Sequence, residues 1–594
     1  MCGISLFVAA ENLEVDLNKS LDSIKHRGPD NKGYEILKCN KLFVGMGHQR
    51  LSIIDLDERS NQPMTIDGIK IIFNGEIYNH ISLREKLVNK GVSFETNSDT
   101  EVILKTYQRY GTEGFKQLNG IFSFIIYHDS KIIIARDFFG VKPLYYTFER
   151  GNLFVSSEIK GIEKYGIKPK ISADDIFEFM NCHFISKDRT GFENIKKIKR
   201  NSVLIYDLND KNIKESYIYS NSDIKNFNFS LAETVRSQEI SDVNNTILFS
   251  GGVDSSVLAA IANCEDLHHV KYFNDHPDTI ASKKISKHLS KNLHEITFKK
   301  NELSTIEFIE SIDVAVDGIE ELIADFTYLS SKEICEEIKK GGYKVCLSGM
   351  GGDELFLGYP RHTLMRNKFI FLLLHPFLSI APVSKFLNQF FKNGKLNRFL
   401  SYADEKYQIF QYFRLLGYFS TVDLKKIYKE NYDQYNFKLE KKYREYINQK
   451  NEITDLLEIE IDGFLQRNLI VADKSSMNAS IEMRVPLIDL NIYSKLISKE
   501  FKSNGKMHLK KEAEKNIPKK LLNRNKEGFN PPLQSFIHNL DWDDFKKYTQ
   551  ILKKLFNNDI SEIISEKKFE IFKKENPLAV WQLLYLSRWI KRYS

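Results

Sequence analysis

The feature that most constrains the fold is a run of small and polar residues, Ser-Gly-Gly-Val-Asp-Ser-Ser, at positions 250–256. It follows the short, apolar and partly β-branched stretch 246–249, which is typical of a buried strand. It precedes residues 257–261, Val-Leu-Ala-Ala-Ile, whose apolar side chains recur at helical spacing. The run therefore lies on a predicted turn between a strand and a helix.

Such a turn can bind an anion, most plausibly a phosphate. Gly251 and Gly252 let the backbone approach a ligand closely, and the N-terminus of the following helix attracts negative charge. Asp254 would repel a phosphate unless a cation lies between them, and Mg²⁺ is the usual bridge. The run lacks the Gly-Lys-Ser/Thr ending of a Walker loop, so we do not expect γ-phosphate transfer. A Ser/Gly-rich surface turn is the weaker alternative, because seven consecutive residues fit the cradle.

A second feature is the cysteine at position 2. If Met1 is removed, Cys2 becomes N-terminal and carries both a thiol and a free α-amine. The pKa of a model α-amine is about 7.7 to 8.0, so near neutral pH the amine can act as base for the adjacent thiol. An ordinary buried cysteine is the alternative interpretation.

The rest of the chain shows two patterns of predicted elements. Before residue 215, strands are predicted at 3–10, 43–54, 69–73, 121–127 and 131–135, with helices at 81–89 and 100–110. After residue 245, strands at 246–250, 270–274, 294–298 and 344–348 alternate with helical stretches. The first pattern favours sheets layered with helices, and the second favours a parallel sheet with its ligand at the carboxyl ends of the strands. The polar segment 209–228 is the predicted linker.

Two of the predicted parallel strands end in glycine-rich loops. One is the 250–256 run, and the other is Ser-Gly-Met-Gly-Gly-Asp-Glu at 348–354. Because carboxyl ends of parallel strands share one edge, both loops should open on one crevice. A plain glycine-rich connection is the alternative for the second loop, and its acidic pair after an apolar strand makes that the weaker interpretation.

These motifs together resemble the glutamine-hydrolysing asparagine synthetases. The 250–256 loop is similar to the pyrophosphate-binding loop of ATP pyrophosphatases, and residues 472–489 match a late signature of the family. In the first part, the segments Arg27–Asp30, Phe73–Tyr78 and Ser98–Glu101 resemble class II glutamine amidotransferases.

The resemblance implies a protein of two domains, α+β and α/β. Residues 1–215 would form an N-terminal-nucleophile αββα sandwich with glutaminase activity. Residues 229–594 would form a doubly wound parallel-sheet ATP-pyrophosphatase domain with a helical C-terminal part. Residues 526–532, which are similar to a further family segment, would act as a mobile lid.

For the first domain, the resemblance implies a glutaminase site. Cys2 would attack the amide carbon of glutamine, while the Asn74 side chain and the Gly75 backbone N–H would form the oxyanion hole. Arg50 would hold the substrate carboxylate in a bidentate pair, and Glu76 and Asp99 would receive its ammonium. The implied glutamine-binding residues are Arg50, Leu51, Ile53, Ile54, Asn74, Gly75, Glu76 and Asp99. Taken singly, Asn74-Gly75 fits a hairpin turn and Arg50 a surface charge.

For the second domain, the resemblance implies a site for ATP and pyrophosphate. The implied contacts are Leu248, Ser250, Gly251, Gly252, Asp254, Ser255, Ser256, Ser348 and Gly349. Asp254 and Asp353 would hold Mg²⁺. Lys474 would stabilise charge that develops on phosphate or carbonyl oxygens during acyl transfer. An exposed lysine is the alternative for Lys474.

The sequence departs from the family pattern at Met350. Asparagine synthetases commonly carry Glu at this third position of the second glycine loop, where it is thought to help the ammonia step. A methionine side chain cannot accept a proton or bind an ammonium strongly. The departure bears either on the handling of ammonia or on the identity of the carboxylate that is amidated.

Composition excludes several classes of protein. The net charge of +7 is small for 594 residues, and charges of both signs are interleaved, so we expect no nucleic-acid partner. The six cysteines form no CxxC pair, which argues against zinc and against a disulfide framework. The apolar run 369–387 is interrupted by His375, Pro376 and Pro382, so no membrane span is expected. Without a basic, apolar leader we expect a cytoplasmic protein, for which a homodimer is allowed.

The expected function is a glutamine-dependent ligase that uses ATP and Mg²⁺. It would release ammonia from glutamine and pass it to an acyl-adenylate, with aspartate the first acceptor to consider and asparagine the product. The nearest alternative is the same mechanism on another carboxylate, such as a sugar acid in surface-polysaccharide synthesis. Two further alternatives are a glutaminase whose second domain only binds nucleotide, and a non-enzymatic scaffold.

Overall fold

The computed structural model describes residues 2–271, 276–297, 303–366, 405, 407–447, 453–497, 505–522, 537, 539–556, 564 and 566–594. The apolar run 369–387 and the predicted lid 526–532 lie outside the described residues.

The N-terminal part of the chain folds into two antiparallel sheets. Its strands are β1 (Gly3–Ala9), β2 (Asn31–Cys39), β3 (Leu42–Arg50), β4 (Met64–Ile66), β5 (Ile69–Ile77), β6 (Gly120–His128), β7 (Lys131–Arg136), β8 (Tyr145–Glu149), β9 (Asn152–Ser156), β10 (Lys196–Lys197), β11 (Ser202–Asp207) and β12 (Ile213–Tyr217). One six-stranded sheet has the order β10-β8-β9-β1-β3-β2, and the other has the order β12-β11-β7-β6-β5-β4.

Both faces of each sheet are covered, which explains the continuous burial of the central strands. Alternate side chains of β1 point to opposite faces. Ile4, Leu6 and Val8 join an apolar cluster that lies between the sheets, while Phe7 and Ala9 pack in the layer on the outer side. The inner cluster also contains Ile72, Ile125, Ile132 and Ile134 from the opposing sheet.

Helices cover the outer faces of the two sheets. They are α1 (Glu14–Ser23), α2 (His80–Val88), α3 (Asp99–Tyr110), α4 (Ile159–Glu163) and α5 (Ala173–Cys182), with 3₁₀ turns at Lys25–Arg27, Glu58–Ser60 and Gly111–Gln117. The first and fourth pack on β1, β3 and β9, and the third packs on β5. This αββα layering confirms the predicted sandwich.

The second part of the chain contains a parallel sheet. Its strands are β13 (Asn245–Leu248), β14 (Asp266–Lys271), β15 (Asn292–Thr297), β16 (Val345–Ser348) and β17 (Glu482–Arg484). The order is β15-β14-β13-β16-β17, and each neighbouring pair is parallel. The order reverses at β13, so a crevice opens where β13 and β16 end, as in doubly wound sheets. The predicted doubly wound sheet is confirmed.

Helices make up most of this second part. They are α6 (Asn221–Ile224), α7 (Leu231–Ser237), α8 (Val253–Ile261), α9 (Pro277–His288), α10 (Thr305–Ile319), α11 (Thr327–Lys340), α12 (Gly352–Leu355), α13 (Pro360–Arg366), α14 (Gln408–Leu416), α15 (Thr421–Tyr428), α16 (Tyr432–Lys442), α17 (Arg444–Ile447), α18 (Ile453–Glu460), α19 (Gln466–Asn478), α20 (Leu490–Leu496), α21 (Gly505–Glu514), α22 (Lys519–Leu522), α23 (Trp542–Thr549), α24 (Leu552–Phe556), α25 (Glu566–Glu575) and α26 (Pro577–Tyr593). A 3₁₀ turn at Lys429–Asn431 precedes α16, and a π-helical turn at Ile461–Leu465 joins α18 to α19. The predicted helical C-terminal part is confirmed, and among the described residues no helix is long and apolar enough to cross a membrane.

Two elements differ from the pattern read in the sequence. Strand β12 lies inside the predicted linker; its side chains are all exposed, so it has no apolar pattern and is held by backbone pairing with β11. Strand β14 begins four residues before the predicted start at Val270. Its polar residues are satisfied within the sheet, as in the 2.8 Å contact of His268 Nδ1 with Thr246 Oγ1.

The two parts meet through a buried contact rich in charge. Lys197 of the first part lies 2.5 Å from Glu321 of the second, and both side chains are fully buried. Tyr145 donates to the other oxygen of Glu321 at 2.6 Å. The neighbouring Glu320 accepts the backbone N–H groups of Ile159 and Lys160. The chain therefore has one continuous interior that extends through both of its parts.

Candidate active sites

The first site is built around Cys2, at the start of β1. The Cys2 side chain is buried, and its backbone N–H donates to Asn74 Oδ1 at 3.1 Å. Burial raises the pKa of the Cys2 thiol, while the positive N-terminus and a hydrogen bond from the Leu51 backbone oppose that rise. A protonated thiol is a weak nucleophile, so a nucleophilic role for Cys2 requires a base beside it.

Asn74 presents an unused donor next to Cys2. Its Oδ1 is taken by the Cys2 backbone, while its buried Nδ2 has no hydrogen-bond partner within the described part of the chain. A buried, unpaired donor costs free energy, which a ligand oxygen can recover. The following Gly75 has φ of +151°, and a Cβ there would come within 2.1 Å of the Ile121 carbonyl oxygen. Only glycine fits this close approach of β5 to β6.

Arg50 ends β3 and lies near Cys2. Its guanidinium donates to the Asp57 carbonyl at 3.0 Å, to Asn61 Oδ1 at 2.7 Å and to the Asp55 carbonyl. Among the described residues, no carboxylate forms an ion pair with Arg50. A buried cation held only by neutral acceptors suits the binding of a substrate carboxylate.

Two buried carboxylates also lie near Cys2. Glu76 is on β5, and Asp99 is the first residue of α3, where it accepts the Ile77 N–H at 2.9 Å. Burial raises the pKa of Glu76 well above its usual value, and Glu482 raises it further. Burial also raises the pKa of Asp99. Two buried carboxylates that raise each other's pKa favour a ligand that brings positive charge.

The predicted apolar residues beside Arg50 follow the end of β3. Leu51 and Ile53 are buried, and Ile54 is half-buried. The strand predicted at 43–54 therefore stops at Arg50. Its last four residues form a loop, and the Leu51 backbone of this loop hydrogen-bonds the Cys2 thiol.

The second site is a cavity of 560 Å³ at the carboxyl ends of β13 and β16. Its lining includes the predicted residues Leu248, Ser250, Gly252, Asp254, Ser255, Ser348, Gly349 and Asp353. Gly251 and Ser256 belong to the same loop but are outside this lining. The prediction that both glycine loops open on one crevice is confirmed.

The glycines allow the two loops to touch. Gly251 has φ of +69°, a left-handed conformation that favours glycine, and a Cβ there would lie 2.9 Å from the Ser282 backbone nitrogen. A Cβ on Gly349 would lie 2.9 Å from the Ser255 nitrogen, and one on Gly352 would lie 2.7 Å from Asp254 Oδ1. The N-terminus of α8 and the acidic pair therefore face the same space.

Asp254 and Asp353 converge on one cation, Lys506 of α21. Lys506 Nζ lies 2.7 Å from Asp353 Oδ1 and also pairs with Asp254 Oδ1. Burial alone would lower the pKa of Lys506, but the two aspartates raise it above the usual value. The two carboxylates are hard oxygen ligands placed to share one positive charge, which fits a Mg²⁺ site completed by phosphate oxygens.

Lys474 occupies a different place from the one its predicted role suggests. Its side chain is fully buried on α19, its Nζ pairs with Glu320, and it lies 5.0 Å from the centre of the Tyr145 ring. It is not among the described residues that line the cavity, whereas its neighbours Ala472 and Ser475 are. The structure thus places Lys474 at the contact between the two parts of the chain.

Comparisons with known proteins cover both parts of the chain. Residues 226–591 match a family model described as asparagine synthase. Residues 1–218 match a model described as a glutamine amidotransferase domain.

The chain belongs to the asparagine synthase family.

Two relatives show the range of names in this family. The asparagine synthetase [glutamine-hydrolyzing] 1 of Bacillus subtilis is 30% identical over 87% of this chain and 84% of its own length. The amidase chyE of Penicillium rubens is 27% identical over 60% of this chain and 59% of its own. This member of the asparagine synthase family is a glutamine-dependent, amide-forming ligase that uses ATP.

Sequence reasoning missed two residues that the structure brings to the sites. Lys506 carries no signal in the sequence beyond being one lysine among many. Arg484 lies within the 472–489 signature, but only the fold shows that its guanidinium is 3.4 Å from Glu76 Oε2 in the other domain. A side-chain contact between strands of separate domains leaves no periodic pattern in a single sequence.

Proposed function

We propose that this ligase converts aspartate to asparagine, with residues 1–215 releasing ammonia from glutamine and residues 229–594 forming the acyl-adenylate. The observation that carries the proposal is the convergence of Asp254, Asp353 and Lys506 at a glycine cradle, in a chain that also pairs Cys2 with Asn74. Those two sites supply the two half-reactions that a glutamine-dependent synthetase requires.

In the first half-reaction, Cys2 acts as the nucleophile once Met1 is removed. Its α-amine takes the thiol proton, and the sulfur attacks the amide carbon of glutamine. Asn74 Nδ2 and the Gly75 N–H stabilise the oxyanion of the tetrahedral intermediate. The amine returns the proton to the leaving ammonia, and water then hydrolyses the thioester to glutamate. Arg50 binds the substrate carboxylate, and Glu76 with Asp99 binds the ammonium.

In the second half-reaction, an oxygen of the acceptor carboxylate attacks the α-phosphorus of ATP, and pyrophosphate leaves. The N-terminus of α8 and the loop serines bind the phosphate oxygens. Asp254 and Asp353 would hold Mg²⁺, which neutralises charge on the pyrophosphate when bound. Lys506 lies where it can contact the same oxygens. Ammonia then attacks the acyl carbon, AMP leaves, and the amide loses one proton.

A second candidate is the same reaction on another carboxylate, such as a sugar acid. Met350 favours this second candidate. It lines the cavity, at the loop position where asparagine synthetases commonly carry Glu. The polar part of the lining includes hydroxyl and amide groups, among them Thr327, Ser331, Tyr359 and Asn468. Such groups suit a hydroxylated acceptor. The relatives named amidase also point beyond asparagine.

Product analysis tests the proposal. The purified protein is supplied with glutamine, ATP, Mg²⁺ and aspartate, and the products are identified by mass. Asparagine with equal amounts of AMP and pyrophosphate is the expected result. Glutamate without asparagine would exclude aspartate as the acceptor and direct the search to other carboxylates, sugar acids first.

A matched variant separates the two half-reactions. We expect Cys2→Ala to lose all glutamine-dependent synthesis and to keep synthesis with added ammonium salts. Loss of both activities would contradict the assignment of the half-reactions to two sites.

A further inference from the structure

Strand β17 serves both active sites. It pairs with β16 in a register that places Arg484 beside Leu347, one residue before the nucleotide loop begins at Ser348. Successive side chains of a strand point to opposite faces. Met483 lines the nucleotide cavity, whereas Glu482 and Arg484 point to the other face, which is covered by the glutaminase domain.

Arg484 crosses the domain contact to reach the glutamine pocket. Its guanidinium is fully buried, lies 3.4 Å from Glu76 Oε2 and stands 5.9 Å from the centre of the Tyr78 ring. It is fixed from its own domain by the carbonyls of Gln238 and Ile240, at 2.8 and 2.7 Å. Arg484 thus approaches Glu76 from a rigid support in the second domain.

The charges around Glu76 explain what this cation does. Glu482 pairs with Arg484 at 2.5 Å, and Asp99 approaches Glu76 from α3. Burial raises the pKa of Glu76 most, Glu482 and Asp99 add to it, and Arg484 with the N-terminus lowers it. Arg484 is therefore the side chain that favours the ionised form of Glu76.

We propose that Arg484 is a positioning residue of the glutamine site, supplied by the second domain to hold Glu76 where it receives the substrate ammonium. This inference rests on the role given above to Glu76. The glutamine site is then complete only when the two domains are docked. Its affinity for glutamine depends on a strand whose opposite face borders the nucleotide.

The sign of the pH effect follows from the charges. Only ionised Glu76 binds an ammonium, so kcat/KM for glutamine falls at low pH with the pKa of the free enzyme's carboxyl group. Removing Arg484 raises that pKa, so the acid limb moves to higher pH. Removing the charge of Glu482 lowers it, so the limb moves to lower pH.

Kinetics of glutamine hydrolysis across pH test the inference with Arg484→Gln and Glu482→Gln. We expect Arg484→Gln to raise KM for glutamine about tenfold on the acid limb of the pH profile, the effect there of one pKa unit on a group that must be ionised, with kcat little changed. Arg484→Lys should recover part of this loss. Glu482→Gln should shift the acid limb in the opposite direction, which a general loosening of the domain contact cannot do.

Arg200→Gln is the matched control. Arg200 forms a different pair across the domains, 2.6 Å from Glu458 and 2.5 Å from Asp462. Its loss should leave the acid limb in place. Equal shifts in Arg200→Gln and Arg484→Gln, or an unmoved limb in both variants of β17, would overturn the inference.

Failure of the proposed function gives a different result. If Glu76→Gln binds glutamine with an unchanged KM, the assignment of Glu76 itself is wrong. If Glu76→Gln raises KM while Arg484→Gln does not, only the role of Arg484 is wrong. Ammonium-dependent synthesis by Arg484→Gln reports whether that variant folds; if it does not fold, Glu482→Gln alone decides.

Discussion

Lys506 Nζ lies 2.7 Å from Asp353 Oδ1 and shares its charge with Asp254, so one ammonium ties the two glycine loops together. A cation at this point neutralises two carboxylates that would otherwise repel each other and any phosphate. We propose that Lys506 carries an electrostatic role like the one that the family resemblance implies for Lys474, whose own role stays a prediction.

We predict that Lys506→Ala reduces acceptor-dependent pyrophosphate formation by about 10²- to 10³-fold, the usual cost of removing a preorganised charge from a transition state. Glutamine hydrolysis should remain. Exchange of labelled pyrophosphate into ATP measures the effect. Lys511→Ala, which removes an exposed lysine from the same helix, is the control, and a comparable loss in that variant would refute a specific role for Lys506.

Asp254→Asn should abolish Mg²⁺-dependent pyrophosphate formation, because the amide keeps the shape of the side chain and loses its charge. Glutamine hydrolysis at Cys2 should continue. Titration of Mg²⁺ in the pyrophosphate-release assay measures the change. Unaltered release of pyrophosphate would mean that the 250–256 loop does not bind the nucleotide as proposed.

Asn74→Ala should lower kcat for glutamine hydrolysis by about 10²- to 10³-fold with a small change in KM, because Nδ2 donates chiefly to the oxyanion of the intermediate. Steady-state hydrolysis of glutamine measures this. Synthesis from ammonium salts is the internal control and should be unchanged. A rise in KM without a fall in kcat would show that Asn74 binds substrate in its ground state instead.

The fold could be predicted further from the sequence than the sites could. Strands such as β1 and β16 are apolar and bounded by polar turns, and the two glycine loops predict the crevice where β13 and β16 end. Strand β17 has only three residues, two of them charged, and owes its place to tertiary contacts. The two glycine loops can be recognised in the sequence because their backbone geometry requires glycine. Lys506 was not, because its importance comes only from the distance to Asp254 and Asp353.

Lys197→Met should destabilise the protein by about 3 to 5 kcal/mol, since it leaves Glu321 buried without its counter-charge. Thermal unfolding at fixed pH measures the loss. The double variant Lys197→Met with Glu321→Gln should recover part of it, because no lone charge then remains inside. Additive losses in the double variant would show that the two side chains do not interact.

The placement of Glu320 and Glu321 also bears on how this chain can be recombined. Their partners Tyr145, Lys197 and the backbone of Ile159 belong to the other domain. A glutaminase domain grafted from a distant relative would therefore lack the groups that pair with these two buried acids. A viable hybrid must exchange both surfaces together. We therefore expect that an exchange confined to one domain fails, and that altering the cavity, as at Met350, is the route to a new acceptor.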